Sequence, residues 1–314
     1  MTTRRDYLRL TATAGLALAV SPHSVLAAFS ANDLISREIP VSGERLPVVG
    51  LGSSASFARM AASGDVRGVQ EVLDALLRHG GTVFDTAPSY GEAERVAAET
   101  ARMYGYSERL FWATKVNVVA GRGGRADPVE ARAQIERSFS LLGRSRLDLI
   151  QVHNMGDIQT QLGLLKEFRE AGRLRYLGVT TTFPGQYDAL EALMRRERLD
   201  FIGVDYAIDH RVMEERIFPL AQDRGMAVMA YQPFGRTRLW RKVEGHALPD
   251  WASESEIRSW AQYFLKIVVS HPAVTVTTPA TRLAAHMVDN MEAARGSLPD
   301  QALRQRMINY VDSL

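Results

Sequence analysis

Cysteine is absent from this chain of 314 residues, which excludes disulfide bonds and thiolate-ligated metal sites. Neither a His-x-x-x-His pair nor a cluster of carboxylates points to another kind of metal site. No apolar run reaches the roughly 20 residues of a membrane-spanning helix. What the chain has in quantity is hydrophobic residues, 46% of the total, which is enough for a large buried core.

The first 27 residues differ in composition from the rest of the chain. Arg4 and Arg5 are followed by an apolar stretch at residues 10–20 and by small residues at 25–27. This order resembles a twin-arginine export signal that ends in a cleavage site, and a basic amphipathic helix is the alternative. The expected division of the chain is a signal peptide, a linker and a folded domain, at residues 1–27, 28–38 and 39–314.

The excess of positive charge belongs to this leader. The chain has 38 Lys and Arg against 36 Asp and Glu, and three of the Arg and one Asp lie in residues 1–27. The remainder is neutral, with 35 residues of each sign, and indicates no basic surface for a nucleic acid. We expect a periplasmic or secreted protein with no nucleic-acid partner and, once the signal is removed, no stable membrane span.

Short apolar runs alternate with longer segments whose apolar residues recur every three or four positions, which predicts alternating strands and helices. The helical spacing is clearest at residues 66–78, 128–142 and 162–170. A short hairpin is predicted ahead of them, with strands at 39–41 and 45–47. The eight predicted strands that follow lie at residues 48–50, 82–85, 111–116, 147–153, 176–180, 201–206, 227–232 and 274–278.

This alternation predicts an α/β fold, a (β/α)8 TIM barrel with a short N-terminal hairpin. The competing fold is a doubly wound sheet, which binds a dinucleotide at a Gly-x-Gly-x-x-Gly turn after its first strand. Residues 50–54 only begin such a motif, so the barrel is favoured. The longest connection, residues 234–254, follows the seventh strand and is a candidate functional loop.

Three polar residues close three successive strands of the predicted barrel. Because side chains alternate along a strand, Asp85, Lys115 and His153 each end an inward-facing row. Active sites of such barrels lie at the carboxyl ends of the strands. Tyr90 follows Asp85 closely and adds a phenol at the same end. A buried Lys–Asp pair that only ties two strands together is the alternative interpretation.

An acid, a phenol, an ammonium group and an imidazole can together hold a carbonyl oxygen and give it a proton. An ammonium group on Lys115 in contact with Tyr90 would stabilise the phenolate by about 4 kcal/mol at an effective dielectric constant of about 20. We expect it to lower the pKa of the phenol by about 1–3 units. Asp85 would keep Lys115 charged and in place. Neutral His153 would orient the substrate oxygen, and Tyr90 would be the proton donor in reduction.

Three motifs, in this order, resemble those of the aldo-keto reductases: Phe84-Asp85-Thr86-Ala87-x-x-Tyr90-Gly91-x-x-Glu94, Ala113-Thr114-Lys115, and Asp148-Leu149-Ile150-Gln151-Val152-His153. The resemblance covers about residues 39–295. It implies a (β/α)8 barrel and a nicotinamide cofactor bound in extended form without a Rossmann domain. It also implies a catalytic tetrad of Asp85, Tyr90, Lys115 and His153.

The resemblance further implies which residues contact the nicotinamide, the pyrophosphate and the adenosine of the cofactor. Arg238 and Arg241 are additional candidates for the phosphates. The expected contact residues are Ser53, Thr180, Thr181, Tyr231, Gln232, Phe234, Gly235, Arg236, Thr281, Arg282, Asp289 and Asn290.

Some positions depart from the family pattern. Thr181 replaces an Asn and Gly203 replaces a Gln, and both family residues hold the nicotinamide carboxamide. Ala280 and His286 replace residues associated with the 2′-phosphate of NADP, a role that Arg282 could take over. The expected cofactor is therefore NADP, only slightly favoured over NAD.

The expected function is an NAD(P)-dependent oxidoreductase that interconverts a carbonyl compound (aldehyde, ketone or sugar) and an alcohol by hydride transfer. The first alternative is a nicotinamide-binding barrel with a structural or sensing role and little turnover. The altered carboxamide contacts favour it and the intact tetrad disfavours it. The second is a lyase that forms a Schiff base on Lys115. Expected partners are a small-molecule substrate and an electron acceptor that reoxidises the cofactor, and the sequence indicates no oligomeric state.

Overall fold

The structure of the protein, a computed structural model, describes residues 34–119 and 123–314. The predicted signal peptide and most of the predicted linker lie outside the described residues. In the part of the chain that is described, no helix is long and apolar enough to cross a membrane.

The described chain begins with the expected hairpin, whose first strand lies earlier than predicted. Strand β1 (Ser36–Glu38) pairs antiparallel with β2 (Arg45–Pro47). The prediction of a strand at residues 39–41 is wrong, because this segment forms the turn. The backbone N–H groups of Ser42 and Gly43 both donate to the carbonyl oxygen of Ile39, at 3.1 and 2.9 Å.

Eight parallel strands form a single sheet in which each strand pairs with its neighbours in sequence, as predicted for the barrel. Isolated bridges from Val49 to Thr277 and from Gly52 to Ala280 join its two edge strands and nearly close it. The strands are β3 (Leu51–Gly52), β4 (Val83–Asp85), β5 (Phe111–Val116), β6 (Leu147–His153), β7 (Leu174–Thr181), β8 (Phe201–Asp205), β9 (Ala227–Tyr231) and β10 (Val274–Thr277).

The first barrel strand differs most from its prediction. The pattern placed it at residues 48–50, but β3 lies at Leu51–Gly52 and Val49 forms only an isolated bridge. A Cβ atom on Gly50 would lie 2.8 Å from the carbonyl oxygen of Val83. The chain at Gly50 therefore lies very close to the start of β4 before β3 and β4 begin to pair, and an apolar run in the sequence does not reveal this.

Helices follow the strands around the barrel. The helices predicted at residues 66–78 and 128–142 are confirmed. The helix predicted at residues 162–170 begins earlier, at Ile158. Asp157 caps it there by accepting the N–H of Thr160 at 3.4 Å. The helices are α1 (Ser56–Ala62), α2 (Val66–Arg78), α3 (Ala93–Met103), α4 (Pro128–Leu142), α5 (Ile158–Glu170), α6 (Tyr187–Arg196), α7 (Ile217–Asp223), α8 (Arg238–Lys242), α9 (Trp260–Ser270), α10 (Ala284–Glu292) and α11 (Gln301–Ser313).

The hairpin closes the amino-terminal end of the barrel. Ile39 and Leu46 belong to one buried cluster with the inward-facing Phe111, Tyr176 and Phe201, near the starts of β5, β7 and β8. All five are at most 6% exposed. A cleft inside the barrel is therefore left at the carboxyl ends of the strands, where the predicted tetrad lies.

Candidate active site

An ion pair between Asp85 and Lys115 lies at the carboxyl end of the barrel. Asp85 ends β4, and Lys115 is the penultimate residue of the neighbouring strand β5. The Nζ atom of Lys115 is 2.8 Å from each carboxylate oxygen of Asp85, and it also donates to the carbonyl oxygen of Thr86 at 2.8 Å. The exposed fractions of Lys115 and Asp85 are 2% and 3%, so water is largely excluded from the pair.

This environment holds a charged lysine. Burial disfavours the ammonium form, but the charges of Asp85 and Tyr90 and the hydrogen bond to Asp85 outweigh it and raise the pKa of Lys115. Burial raises the pKa of Asp85 against the opposing effect of Lys115. Both carboxylate oxygens contact the ammonium group, which is the geometry of an ion pair whose members stabilise each other's charge.

Tyr90 ends a short 3-10 turn (Pro88–Tyr90) that follows β4. The Nζ atom of Lys115 lies 5.2 Å from the centroid of the Tyr90 ring, and the ring of His153 meets it edge-on at 5.9 Å. Burial raises the pKa of Tyr90, and the Lys115 charge lowers it by less. The predicted lowering is wrong, because the cost of burying a phenolate exceeds the effect of the Lys115 charge. Tyr90 is thus a protonated phenol at neutral pH, the form that can donate a proton.

His153 ends β6 and presents a neutral imidazole, as expected. Burial, and then the charge of Lys115, lowers the pKa of His153 to about 3. Asn117 Nδ2 donates to the backbone carbonyl of His153 at 2.9 Å. The next two residues, Asn154 and Met155, have φ angles of 56° and 55°, which non-glycine residues rarely adopt. Such backbone is often found at functional sites.

All four residues of the predicted tetrad line one cleft, whose volume is about 580 Å³. Its lining also includes the aromatic side chains of Phe183 and Trp240, which are 40% and 39% exposed. Two arginines, Arg59 and Arg236, also line the cleft. Phe183, Trp240 and Arg59 were not predicted, because an isolated aromatic or arginine outside the barrel strands gives no signal of which way it faces.

Several predicted cofactor residues lie at this cleft. Thr180, Tyr231, Gln232, Phe234 and Arg236 all line it. Thr278 also lines the cleft, and Ser53 lies between the lining residues Gly52 and Ser54. Their hydroxyl groups are buried, and within the described chain neither has a hydrogen-bond partner. Buried polar atoms are normally satisfied, so hydroxyl groups of this kind at a cleft indicate a place for a polar ligand.

The other predicted cofactor residues lie outside the lining of the cleft. Thr181 Oγ1 donates to Gln186 Oε1 at 2.5 Å, and Thr281 Oγ1 accepts the N–H of Leu283 at 3.1 Å. Gly235 has a φ of 57°, in the left-handed region that favours glycine.

At the far end of the predicted cofactor region, Asp289 is already engaged. Its two carboxylate oxygens accept hydrogen bonds from Ser259 Oγ and Gln262 Nε2, each at 2.7 Å. Asn290 is buried, whereas Arg282 is exposed. The guanidinium group of Arg282 is therefore accessible to a ligand. The cofactor roles of all these residues stay predictions.

Gln151 is a polar residue to which the sequence analysis gave no role. It faces the barrel interior on β6, two residues before His153, and is fully buried. Its Nε2 donates to the hydroxyl of Tyr231 at 2.8 Å, while its Oε1 has no partner among the described residues. The alternation that identified His153 places Gln151 in the same row, so this signal could have found it.

Comparison with known proteins supports the resemblance. The model of the aldo/keto reductase family matches residues 49–307. The aldo-keto reductase YhdN of Bacillus subtilis is 30% identical over 206 residues, which cover 62% of this chain and 60% of that protein. The aldo-keto reductase str7 of Strobilurus tenacellus is 26% identical over 197 residues, which cover 60% of this chain and 58% of that protein. The match therefore spans about three fifths of the length of these curated relatives.

Solved structures show the same fold. An aldo-keto reductase of Klebsiella pneumoniae in complex with NADPH superposes with a TM-score of 0.72 at 24% identity, over 89% of this chain and 95% of that one. The holo form of AKR11C1 from Bacillus halodurans gives a TM-score of 0.70 at 22% identity, over 88% and 96%. Since the family model covers most of the sequence and the barrel agrees with these structures, the chain belongs to the aldo/keto reductase family.

Proposed function

We propose that this protein is an NAD(P)-dependent oxidoreductase that interconverts a small carbonyl compound and an alcohol, with Tyr90 as general acid and base. The observation that carries the proposal is the convergence of Tyr90, the buried Asp85–Lys115 ion pair and neutral His153 on one cleft. The similar aldo-keto reductase of Klebsiella pneumoniae is in complex with NADPH, which supports a nicotinamide cofactor here.

The side chains of the cleft can perform the proton chemistry of carbonyl reduction. A bound nicotinamide would supply or accept the hydride. Neutral His153 would donate a hydrogen bond to the substrate oxygen and orient it. Tyr90 would give its proton to that oxygen in reduction and take it back in oxidation. Lys115, kept charged by Asp85, would favour the phenolate that forms when Tyr90 gives up its proton.

The described residues fit a dinucleotide at most of the cleft. Ser53 and Thr278 offer buried hydroxyl groups without partners in the described chain, and Arg236 offers an exposed guanidinium for phosphate. The fit is poorer at two places, since Gly203 has no side chain and Asp289 is engaged with α9. A nicotinamide carboxamide would therefore be held differently from the family pattern described above.

The geometry of the cleft also bears on the two alternative functions, a nicotinamide-binding barrel with little turnover and a Schiff-base lyase. The missing side chain at Gly203 favours a barrel that holds a nicotinamide with little turnover, whereas the assembled tetrad favours catalysis. A Schiff base requires a neutral amine as the nucleophile. Lys115 instead donates to both oxygens of Asp85 and to Thr86, and its pKa is raised, so the lyase alternative is disfavoured.

Cofactor binding by the purified protein tests the proposal directly. We expect NADPH and NADH to bind, with an emission change of the bound dihydronicotinamide, and to be consumed with at least one member of a panel of aldehydes, ketones and sugars. Arg236→Ala should weaken both cofactors about tenfold, through the loss of a charged hydrogen bond worth about 1.5 kcal/mol. The matched variant Arg282→Ala should weaken NADPH but not NADH.

The outcomes separate the hypotheses. Tight binding without turnover of any member of the panel would favour the structural or sensing alternative. No binding of either dinucleotide would contradict the oxidoreductase and this alternative together. An equal loss of NADPH and NADH affinity in Arg282→Ala would exclude this arginine as the group that recognises the 2′-phosphate.

We also propose that the protein is exported in folded form, with its cofactor bound, by the twin-arginine signal of residues 1–27. A protein that folds before export can acquire a cytoplasmic cofactor, and an electron acceptor would then have to reoxidise it in place. Changing both Arg4→Lys and Arg5→Lys should leave the precursor in the cytoplasm, as cell fractionation would measure. Equal export of the variant and the natural chain would contradict this signal.

A further inference from the structure

The side chain of Tyr231 occupies the space that Gly203 leaves open in the barrel. Gly203 faces inward on β8, next to β9, which Tyr231 ends. A Cβ atom at Gly203 would collide with the Tyr231 ring and would lie 2.9 Å from Gln151 Oε1 and 3.0 Å from Thr180 Cβ. Any larger residue at position 203 would therefore displace the ring, so the glycine and the inward tyrosine belong together.

The hydroxyl of Tyr231 reaches the ion pair of the tetrad. It donates a hydrogen bond to Asp85 Oδ1 at 3.2 Å and accepts one from Gln151 Nε2 at 2.8 Å. The Nζ atom of Lys115 is 5.2 Å from the centroid of the Tyr231 ring, the same distance as from the Tyr90 ring. Two phenols thus flank one ammonium group.

We propose that Tyr231 is a positioning residue that holds Asp85, and through it Lys115, and thereby sets the proton affinity of Tyr90. This inference rests on the proposed function of the tetrad. It goes beyond the family resemblance, which implies only that Tyr231 contacts the cofactor. The hydroxyl group, and not only the ring, is then the functional part of Tyr231.

The direction of the effect follows from the hydrogen bond. Asp85 has a negative charge that opposes the effect of Lys115 on Tyr90. A hydroxyl that donates to Asp85 places the positive end of its dipole on this carboxylate and reduces the opposition. Burial, followed by the charge of Asp85, raises the pKa of Tyr231 well above its usual value, so Tyr231 stays a donor while Tyr90 titrates.

Tyr231 is not itself suited to be the proton donor to substrate. Its hydroxyl is buried and is engaged with Asp85 and Gln151. The titratable and charged groups near Tyr90 or its neighbour Lys115 come from β4, β5, β6, β9, the loop after β9, and α3. They are Asp85, Lys115, Arg236, His153, Tyr231 and Glu94.

The variant Tyr231→Phe tests the proposal, because it removes the hydroxyl and keeps the ring. We expect the rising limb of the pH–rate profile for alcohol oxidation to move to higher pH by about half a unit to one unit. The affinity for NADPH should change less than threefold. Gly203→Ala, which displaces the ring, should move the limb in the same direction. An unmoved limb in Tyr231→Phe would overturn the proposal.

The matched control is Met229→Leu. Met229 Sδ is a second acceptor for the Tyr231 hydroxyl, at 3.1 Å, so this variant removes that acceptor and alters the packing around the ring. It leaves Asp85 as the acceptor of the hydroxyl and Gln151 as its donor. The limb should therefore move to higher pH by no more than about 0.2 units, a small fraction of the shift of Tyr231→Phe. A shift in Met229→Leu as large as in Tyr231→Phe would assign the effect to packing and contradict the proposal.

A second measurement keeps the test independent of turnover. The ultraviolet absorbance of tyrosinate is followed as pH rises. The contribution of Tyr90 is the difference between each protein and the same protein with Tyr90→Phe added. Tyr231→Phe should raise the pH at which this difference appears, in the protein without cofactor and with NADP. If no carbonyl compound is turned over but this shift is present, the proposed function fails and the positioning role stands. An absent shift overturns the role even in an active enzyme.

Discussion

Tyr90→Phe should lower the rate of carbonyl reduction at least 100-fold, because a positioned general acid contributes about 10²–10⁴ in rate. The variant keeps the ring that contacts His153 edge-on and lies 5.2 Å from Lys115 Nζ, so only the exchangeable proton is lost. The affinity for NADPH should stay within a few-fold. Single-turnover reduction with saturating cofactor, followed by the loss of dihydronicotinamide absorbance, measures the effect.

Tyr104→Phe is the matched control for this loss. Tyr104 is 47% exposed and follows α3, outside the lining of the cleft, so the same chemical change there should leave the rate unaltered. Retained reduction by Tyr90→Phe would rule out Tyr90 as the proton donor. The acid would then have to be another group of the cleft, and His153 could serve only if it were protonated in the complex.

Lys115→Met should have the second large effect, a move of the rising limb for alcohol oxidation to higher pH by at least about one unit. The direction of this shift follows from the positive charge of Lys115. Lys115 favours the deprotonated phenol, so its removal raises the pKa of Tyr90 further, and oxidation then needs a higher pH to form the phenolate. At neutral pH the oxidation rate should fall by at least the same factor, about tenfold for each unit.

The stability of this variant needs its own control. Lys115→Met leaves the buried carboxylate of Asp85 without its partner, and breaking a buried pair costs about 3–5 kcal/mol. The double variant Asp85→Asn with Lys115→Met removes both charges, and we expect it to recover part of the lost free energy of unfolding. A limb that stays in place in a folded Lys115→Met protein would make Lys115 a structural residue only.

Much of the architecture could be predicted because it depends on local periodicity. Alternation of strand and helix patterns predicted the barrel, and the positions of Asp85, Lys115 and His153 at the ends of inward rows predicted that they meet. Side chains of a strand alternate whatever the rest of the chain does, so this information is present in each segment by itself. Tyr90 lies in a turn, where no periodicity fixes a side chain, so its prediction depended on its closeness to Asp85 in the sequence and on the family motif.

The pattern of residues was sufficient to predict the barrel, the parallel direction of its strands and the side chains at their carboxyl ends. The proton affinity of Tyr90 depends on the folded chain, because its burial is produced by all the elements around it and here has a larger effect than the charge of Lys115. The tertiary structure also decided where Tyr231 lies, since that depends on the space at Gly203 on another strand. Periodicity describes which way a side chain points, whereas burial and available space are properties of residues far apart in the chain that meet only when it folds.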